Sequence, residues 1–484
     1  MKKIQTSKIY LGDVEAEQEI HVDGLGIDTF FEDYAGIDNA IALGKFIICG
    51  RKGSGKSAFA VCKKRQASKK EQRFVNIIRK NEFALEKLVN GNEKDDHNYM
   101  VLFEWLILVR LVKMILDSEI GSERVQIKSL KKFYDRNSGY VNIDQYTIAE
   151  IVKGSEVNFA PLKSEFHGFK RMFSAKSVKA PFYKMINPLR EAVVEVLRMQ
   201  IFENASFLTV FDDLDIKFKL TSKVDKDMLM DLIRVAKQYN TDYLIGTSAK
   251  VILLLRDDIS NRLEGHDGDV AKTFASCAHY LKWYEQDHYG DGRNSLLRKL
   301  INRRLKLAFG KQGIKLNDKD PWKDFVVEKI NDKPSFKYVL DHTFYLPRDL
   351  VGIFKDIGRK NYSLPLGENE INELLQDFAI SKKKEICDEL VAMYDDNGIK
   401  KIIDALAEID DGYDVSFDET MKIIQKHGLD LNDLKTLIDY SFIVPVDAEH
   451  DHFYFSYREK VPQNGLEHYT FRTPYILSLY FKNR

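Results

Sequence analysis

One octapeptide constrains this chain more than any other feature. Gly50-Arg51-Lys52-Gly53-Ser54-Gly55-Lys56-Ser57 fits G-x-x-x-x-G-K-[ST] in full. A short apolar run, Phe46-Ile47-Ile48-Cys49, precedes it and reads as a buried strand, and Ala58-Phe59-Ala60-Val61 continues as a helix. The three glycines let the backbone turn sharply and approach an anion without a Cβ clash. Successive N–H groups, from Gly50 through Ala58, then converge on one concavity, and the helix N-terminus adds its partial positive charge. In such a loop the lysine, Lys56, reaches the outer phosphates of a nucleotide, and the hydroxyl of Ser57 is offered to Mg²⁺.

A loop of this kind needs a carboxylate on a neighbouring strand. Phe207-Leu208-Thr209-Val210-Phe211 is a nearly continuous apolar run, as expected of a central parallel strand, and it ends in Asp212-Asp213-Leu214-Asp215. Strand C-termini in open α/β sheets face the ligand crevice. Asp212 is therefore expected to steady a Mg²⁺-bound water beside Ser57. Asp213, pointing elsewhere, is expected to orient or deprotonate the attacking water, with a shorter arm than a glutamate would give. Asp215 is expected to hold the loop or the outer shell of the metal.

Ser222-Lys223-Val224-Asp225 and Thr247-Ser248-Ala249-Lys250 resemble guanine-reading motifs. The first follows the acidic strand end by about ten residues, too few for an intervening helix and strand, and no D-x-x-G follows the Asp pair. Thr221 or Ser222 reads instead as a cap for a helix from about Asp227, and ATP is favoured over GTP. Val251-Ile252-Leu253-Leu254-Leu255 is the next strand, which puts Arg256 at the ligand edge as a phosphate sensor. A second register makes Leu244-Ile245-Gly246 the strand and Thr247 or Ser248 the sensor. A further strand is expected at about His279 to Trp283, and a basic helix at about Ser295 to Ala308, read as a solvated face. Tyr345-Leu346-Pro347-Arg348-Asp349-Leu350 opens an amphipathic helix with proline at its start and Arg348 on its first turn.

Taken together, GRKGSGKS, FLTVFDDLD, VILLLRDDI and LPRDL resemble the bacterial AAA+/STAND-related P-loop ATPases near the origin-recognition-complex and KAP groupings, including the FunZ-like ATPases. The resemblance implies an α/β fold: a five-stranded parallel core with an inserted subdomain, a helical lid and a C-terminal winged-helix domain. It implies that Lys56 and Ser57 hold phosphate and Mg²⁺, that Asp212 is the metal-linked acid and Asp213 the base, that Arg348 is a lid-borne sensor, and that Arg256 is a sensor or finger. Many relatives act in anti-phage systems, as regulated switches beside an effector.

The expected boundaries are a P-loop core over 1–290, a lid over 291–410 and a winged-helix-like tail over 411–484. Asp212 lies about 155 residues beyond Lys56, so an insertion over roughly 117–180 fills the gap. It carries Lys131-Lys132-Phe133-Tyr134 and Phe166-His167-Gly168-Phe169-Lys170-Arg171, read as a small insert with its own aromatic core rather than a nucleic-acid surface. Lys63-Lys64-Arg65 with Lys69, Lys70 and Arg73 is read as the basic end of the P-loop helix. In the tail, helix, helix, hairpin and helix are expected, with strands at Phe442-Ile443-Val444 and Phe453-Tyr454-Phe455.

Composition narrows the partners. The 484 residues carry 74 Lys plus Arg and 74 Asp plus Glu, a formal charge of zero, which argues against a protein that coats nucleic acid by bulk charge. From Asp411 to Arg484, 12 acids stand against 8 Lys or Arg, so the tail is expected to meet protein rather than DNA. Met100 to Leu116 is broken by Glu104, Arg110 and Lys113 and reads as a core helix, not a membrane span. Cys49, Cys62, Cys277 and Cys387 show no C-x-x-C spacing, and the N-terminus has no apolar signal core, so a cytoplasmic protein with reduced thiols is expected. The functional expectation is an Mg²⁺-dependent, ATP-hydrolysing switch, a homo-oligomer acting with a protein effector. The alternatives are a nucleotide-gated scaffold with little hydrolysis, and an initiator-like DNA-binding ATPase.

Overall fold

The computed structural model describes residues 4–21, 25–79, 99–137, 183–214, 223–264, 267–284, 292–391, 393–409, 414–450, 452–459 and 461–482. These fall into two compact units. One comprises Gly36–Gly50 and Lys56–Tyr280; the other comprises Met1–Ala35, Arg51–Gly55 and Leu281–Arg484.

The first unit is built on a five-stranded parallel sheet. Its strands are β1 (Ile47–Cys49), β2 (Arg73–Arg79), β3 (Ser206–Asp212), β4 (Ala249–Leu255) and β5 (Ala278–Tyr280), in the order β2-β3-β4-β1-β5. The registers Arg79↔Asp212, Phe211↔Leu253 and Cys49↔Leu255 bring the strand C-termini to one edge. Val251 to Leu255 and Ile47 to Cys49 are buried throughout, as continuous apolar runs in a covered parallel sheet must be. Around the sheet lie α1 (Lys56–Gln66), α2 (Tyr99–Ser118), α3 (Val125–Arg136), α4 (Tyr183–Leu197), α5 (Lys223–Gln238), α6 (Asp257–Glu264) and α7 (Gly268–Cys277). Helix α2 is the core helix expected at 100–116. Its Glu104 is accounted for by a 2.6 Å ion pair with Arg190 of α4. No helix among the described residues is long and apolar enough to cross a membrane.

Several expectations are corrected here. The acidic strand is not the neighbour of the P-loop strand, because β4 lies between β3 and β1. Helix α1 ends at Gln66, and Arg73 opens an edge strand rather than closing that helix. Phe74, Val75, Ile77 and Ile78 bond in register to β3, and this apolar run outweighs the flanking arginines. Leu244-Ile245-Gly246 is not a strand: Leu244 closes a helical turn over Tyr239–Tyr243, and the strand begins at Ala249. The last strand stops at Tyr280, before Trp283, and α5 starts at Lys223, ahead of Asp227. Thr221 and Ser222 lie outside the described residues, as do Asp215 and Phe166–Arg171. On α3, Phe133 is buried and Lys131 and Lys132 are exposed, so that aromatic serves the interior.

The second unit has a helical core. Helices α8 (Leu296–Lys311), α9 (Pro347–Phe354), α10 (Glu368–Leu390) and α11 (Asp396–Ile409) share a buried cluster that includes Leu297, Ile301, Leu350, Phe354, Leu375 and Leu406. Arginines of α8 are engaged within the chain: Arg298 pairs with Asp320 at 3.0 Å, and Arg304 with buried Glu19 at 2.7 Å. At the C-terminal end, β6 (Val415–Ser416), α12 (Phe417–Lys426), α13 (Leu431–Asp439), β7 (Val444–Asp447), β8 (His452–Phe453), β9 (Thr470–Arg472) and α14 (Tyr475–Lys482) follow in order. The strands form an antiparallel sheet ordered β8-β7-β9-β6. The expected hairpin is present but shifted, since Phe442 and Ile443 precede its first strand. Strands β6 and β9 were not legible, being two and three residues long.

Candidate nucleotide-binding site

The phosphate loop leaves the end of β1 and closes at the first residue of α1. Gly50 N–H donates to the Leu255 carbonyl at 3.2 Å, which continues the β1–β4 ladder into the loop. Gly53 and Gly55 then take φ values of +83° and +97°, a region that L side chains enter only with strain. Ser54 is buried, and its N–H donates back to the Arg51 carbonyl at 3.1 Å. Lys56 Nζ donates to the Gly50 carbonyl at 2.7 Å. Ala58 continues the first turn of α1.

Ser57 and Asp212 meet although 155 residues separate them: Ser57 Oγ donates to Asp212 Oδ1 at 3.2 Å. The same oxygen accepts from Asp213 N–H at 2.9 Å. The other carboxylate oxygen, Oδ2, is buried and accepts no hydrogen bond among the described residues. Burial pushes the Asp212 carboxyl above its usual range, and the Asp213 N–H, Ser57, Lys56 and Arg79 oppose that rise. A hydroxyl beside a carboxylate with one orphaned oxygen is a hard oxygen donor set, and it fits a divalent cation of the Mg²⁺ type. Such an ion needs few protein ligands when phosphates supply the rest.

Asp213 breaks from the strand with φ +55°, unusual for a non-glycine residue, and this turns its side chain away from that of Asp212. Its Oδ2 lies 3.3 Å from Nε of Arg79, the last residue of β2. Arg79 was missed in the sequence because β2 itself was missed. Arg256 sits directly after β4 at the same sheet edge. Its guanidinium forks onto Asp258, with Nε to Oδ1 at 3.0 Å and Nη2 to Oδ2 at 2.6 Å. Thr247 and Ser248 precede β4 and so lie at the opposite edge from the loop; Thr247 Oγ1 is spent on the Leu244 carbonyl at 2.7 Å.

Within the second unit, residues 51–55 of the loop have their own contacts. Arg348, the second residue of α9, donates its backbone N–H to the Gly53 carbonyl at 3.3 Å. A Cβ on Gly53 would stand 2.9 Å from Arg348 Cβ, so glycine is required here by space as well as by φ. The Arg348 guanidinium pairs with Glu385 at 3.2 Å. Glu385 also accepts from Lys382 at 3.0 Å, and Lys382 donates to fully buried Asp349 at 2.7 Å. Burial alone would raise the Glu385 pKa, but Lys382 and Arg348 overcome it and hold that carboxyl down to about 2, with a lesser pull from Lys52. Trp283 Nε1 donates to the Ser54 carbonyl at 2.9 Å. Glu385 and Trp283 carry no motif, and no local pattern singles them out. The Lys56 ammonium and the Ser57 hydroxyl facing the buried Asp212 carboxylate can together hold an outer phosphate and its metal.

The profile of the FunZ-associated C-terminal helical domain matches residues 295–378, which span α8, α9 and the first part of α10. No curated protein matches the chain. Among solved structures, the ORC2 protein of Aeropyrum pernix, determined as ADPNP–ADP complexes, is similar at 13% identity and a TM-score of 0.38, covering 93% of this chain and 92% of that one.

Proposed function

We propose that this chain is an Mg²⁺-dependent ATP-binding switch with ATP-hydrolysing capacity. The observation that carries the reading is the apposition of Ser57 and Asp212 at 3.2 Å, next to a lysine bonded to the Gly50 carbonyl. In this reading the loop N–H groups and Lys56 hold the phosphates, Ser57 and Asp212 hold the metal, and Asp213 orients or deprotonates the attacking water. The metal would supply charge neutralisation at the outer phosphates. Arg348 reads the bound phosphates from the lid helix, and Arg256 does so after release from Asp258. ATP is preferred to GTP because Thr247 and Ser248 lie at the far edge of the sheet and Lys223 and Asp225 lie on α5.

The finer architecture belongs to the same proposal. Residues 291–410 act as a lid and 411–484 as a winged-helix-type module. The acidic balance of that module favours a protein partner over DNA. Self-assembly and an effector protein complete the switch. One observation favours a slow enzyme, close to a nucleotide-gated scaffold: Asp213, the proposed base, is engaged by Arg79. Single-turnover and steady-state ATP hydrolysis of the wild type and Asp213→Asn test the reading. A rate lowered about 100-fold or more by the substitution supports it. Equal, negligible rates with intact ATP binding support the scaffold.

A further inference from the structure

We infer that Arg51 is a positioning residue for the phosphate loop, seated in a socket made by Phe344, Tyr457 and the Tyr440 carbonyl, so that residues 440–457 set the nucleotide affinity of the loop. The inference rests on the nucleotide-binding reading and adds to it a route of control.

The loop pattern leaves its second position open, and an arginine there has no need to touch anything. Here its side chain runs into the C-terminal part of its unit. Nη2 donates to the Tyr440 carbonyl at 3.2 Å. The guanidinium carbon lies 5.4 Å from the centre of the Phe344 ring and 5.5 Å from that of Tyr457, within cation–π range of both. Tyr440 follows the last turn of α13, so its carbonyl belongs to the negative end of that helix, where a cation is favoured. The socket is itself braced. Tyr457 stacks on Tyr345 at 5.6 Å and 25° between planes, and Arg458 lies over the Tyr457 ring as well.

Arg51 is not the loop's only tether. The Gly53 carbonyl accepts from Arg348 N–H, and the Ser54 carbonyl accepts from Trp283. Three of four consecutive loop residues are thus fixed by residues of the C-terminal half. Two of these ties are accepted by the loop's own backbone carbonyls and would persist through substitution of Arg51. The Arg51 tie is made by a side chain to one short segment, so a displacement of 440–457 is felt at Arg51 first. A loop that cradles phosphate through convergent N–H groups loses affinity when their convergence is disturbed.

The test uses the full chain, with Mg²⁺–ADP titrated by calorimetry and backbone amide exchange followed without nucleotide. Arg51→Ala and Tyr457→Ala should each weaken ADP binding roughly tenfold, and the double variant should be no weaker than either alone, as coupled partners require. Arg51→Lys, which keeps the cation, should recover most of the loss. Exchange over 437–459 should be faster in Arg51→Ala than in wild type before any nucleotide is added. Additive losses in the double variant, or ADP affinity unchanged in Arg51→Ala, would overturn the inference. If the wild type itself fails to bind ADP, the nucleotide reading fails, and the exchange arm still decides whether the latch exists: identical protection in wild type and Arg51→Ala removes it.

Discussion

Arg79 and Asp213 meet at 3.3 Å where two adjacent strands end, one residue past the register pair Arg79↔Asp212. This places a guanidinium on the carboxylate proposed to handle the attacking water. The ion pair occupies one oxygen of that carboxylate and ties its position to β2. Arg79→Ala should therefore raise the ATP turnover rate several-fold while leaving Mg²⁺–ATP affinity within about twofold, and Asp213→Asn should abolish the gain. Steady-state kinetics of the three proteins check this. A lower rate in Arg79→Ala would assign Arg79 to aiming Asp213 instead of restraining it.

Gly53 meets two independent demands, a φ of +83° and the close passage of Arg348. Gly53→Ala should cost roughly 1–3 kcal/mol of stability, from left-handed strain and the 2.9 Å approach together, and should weaken ADP binding. Thermal or urea unfolding measures the first effect and calorimetry the second. Gly55 has a similar φ, but a Cβ there would meet nothing within 4 Å, so Gly55→Ala should cost less.

The Glu385 carboxyl, at about 2 against an ordinary 4.5, gives a pH signature. A depressed carboxylate pKa contributes stability that is present above the unfolded value and is lost as pH falls through the folded one. The contribution, on the order of a few kcal/mol, should therefore disappear between about pH 4.5 and pH 2. Glu385→Gln should be less stable than wild type at pH 7, because buried Lys382 loses one of its two carboxylates. The gap should narrow on acidification. Thermal midpoints of both proteins from pH 7 to pH 3 test this; a gap independent of pH would contradict it.

Trp283 offers an optical report on the loop, since its indole N–H is bonded to the Ser54 carbonyl. Addition of Mg²⁺–ADP should change the tryptophan emission of the wild type, and Trp283→Phe should remove most of that change. The same response in Trp283→Phe would mean that the loop carbonyl is not displaced on binding.

How much of this was legible depended on whether a signal was local. The strand–loop–helix over 47–66 is a contiguous pattern whose residue types follow from its geometry. The runs ending in Asp212 and Leu255 read correctly because a strand covered on both faces is apolar without interruption. Strand order was not legible: nothing in Phe207–Asp212 states that β4 intervenes before β1, since order is set by how the crossovers pack. Strand β2 was hidden because Arg73 was read with Lys63-Lys64-Arg65, Lys69 and Lys70 as the basic end of the preceding helix. Missing β2 also concealed Arg79. Glu385, Trp283 and the socket of Arg51 lie between about 230 and 410 residues from the loop, and such partners become neighbours only on folding.

The central claim is that the loop at 50–57 grips a triphosphate through Lys56 with a metal steadied by Ser57 and Asp212. Calorimetric titration of Mg²⁺–ATP into wild type and Lys56→Ala tests it most directly. Saturable one-to-one binding to the wild type, weakened at least about 100-fold in Lys56→Ala with the fold intact by circular dichroism, is the predicted result. Equal affinity in the two proteins, or no binding to the wild type, would contradict it.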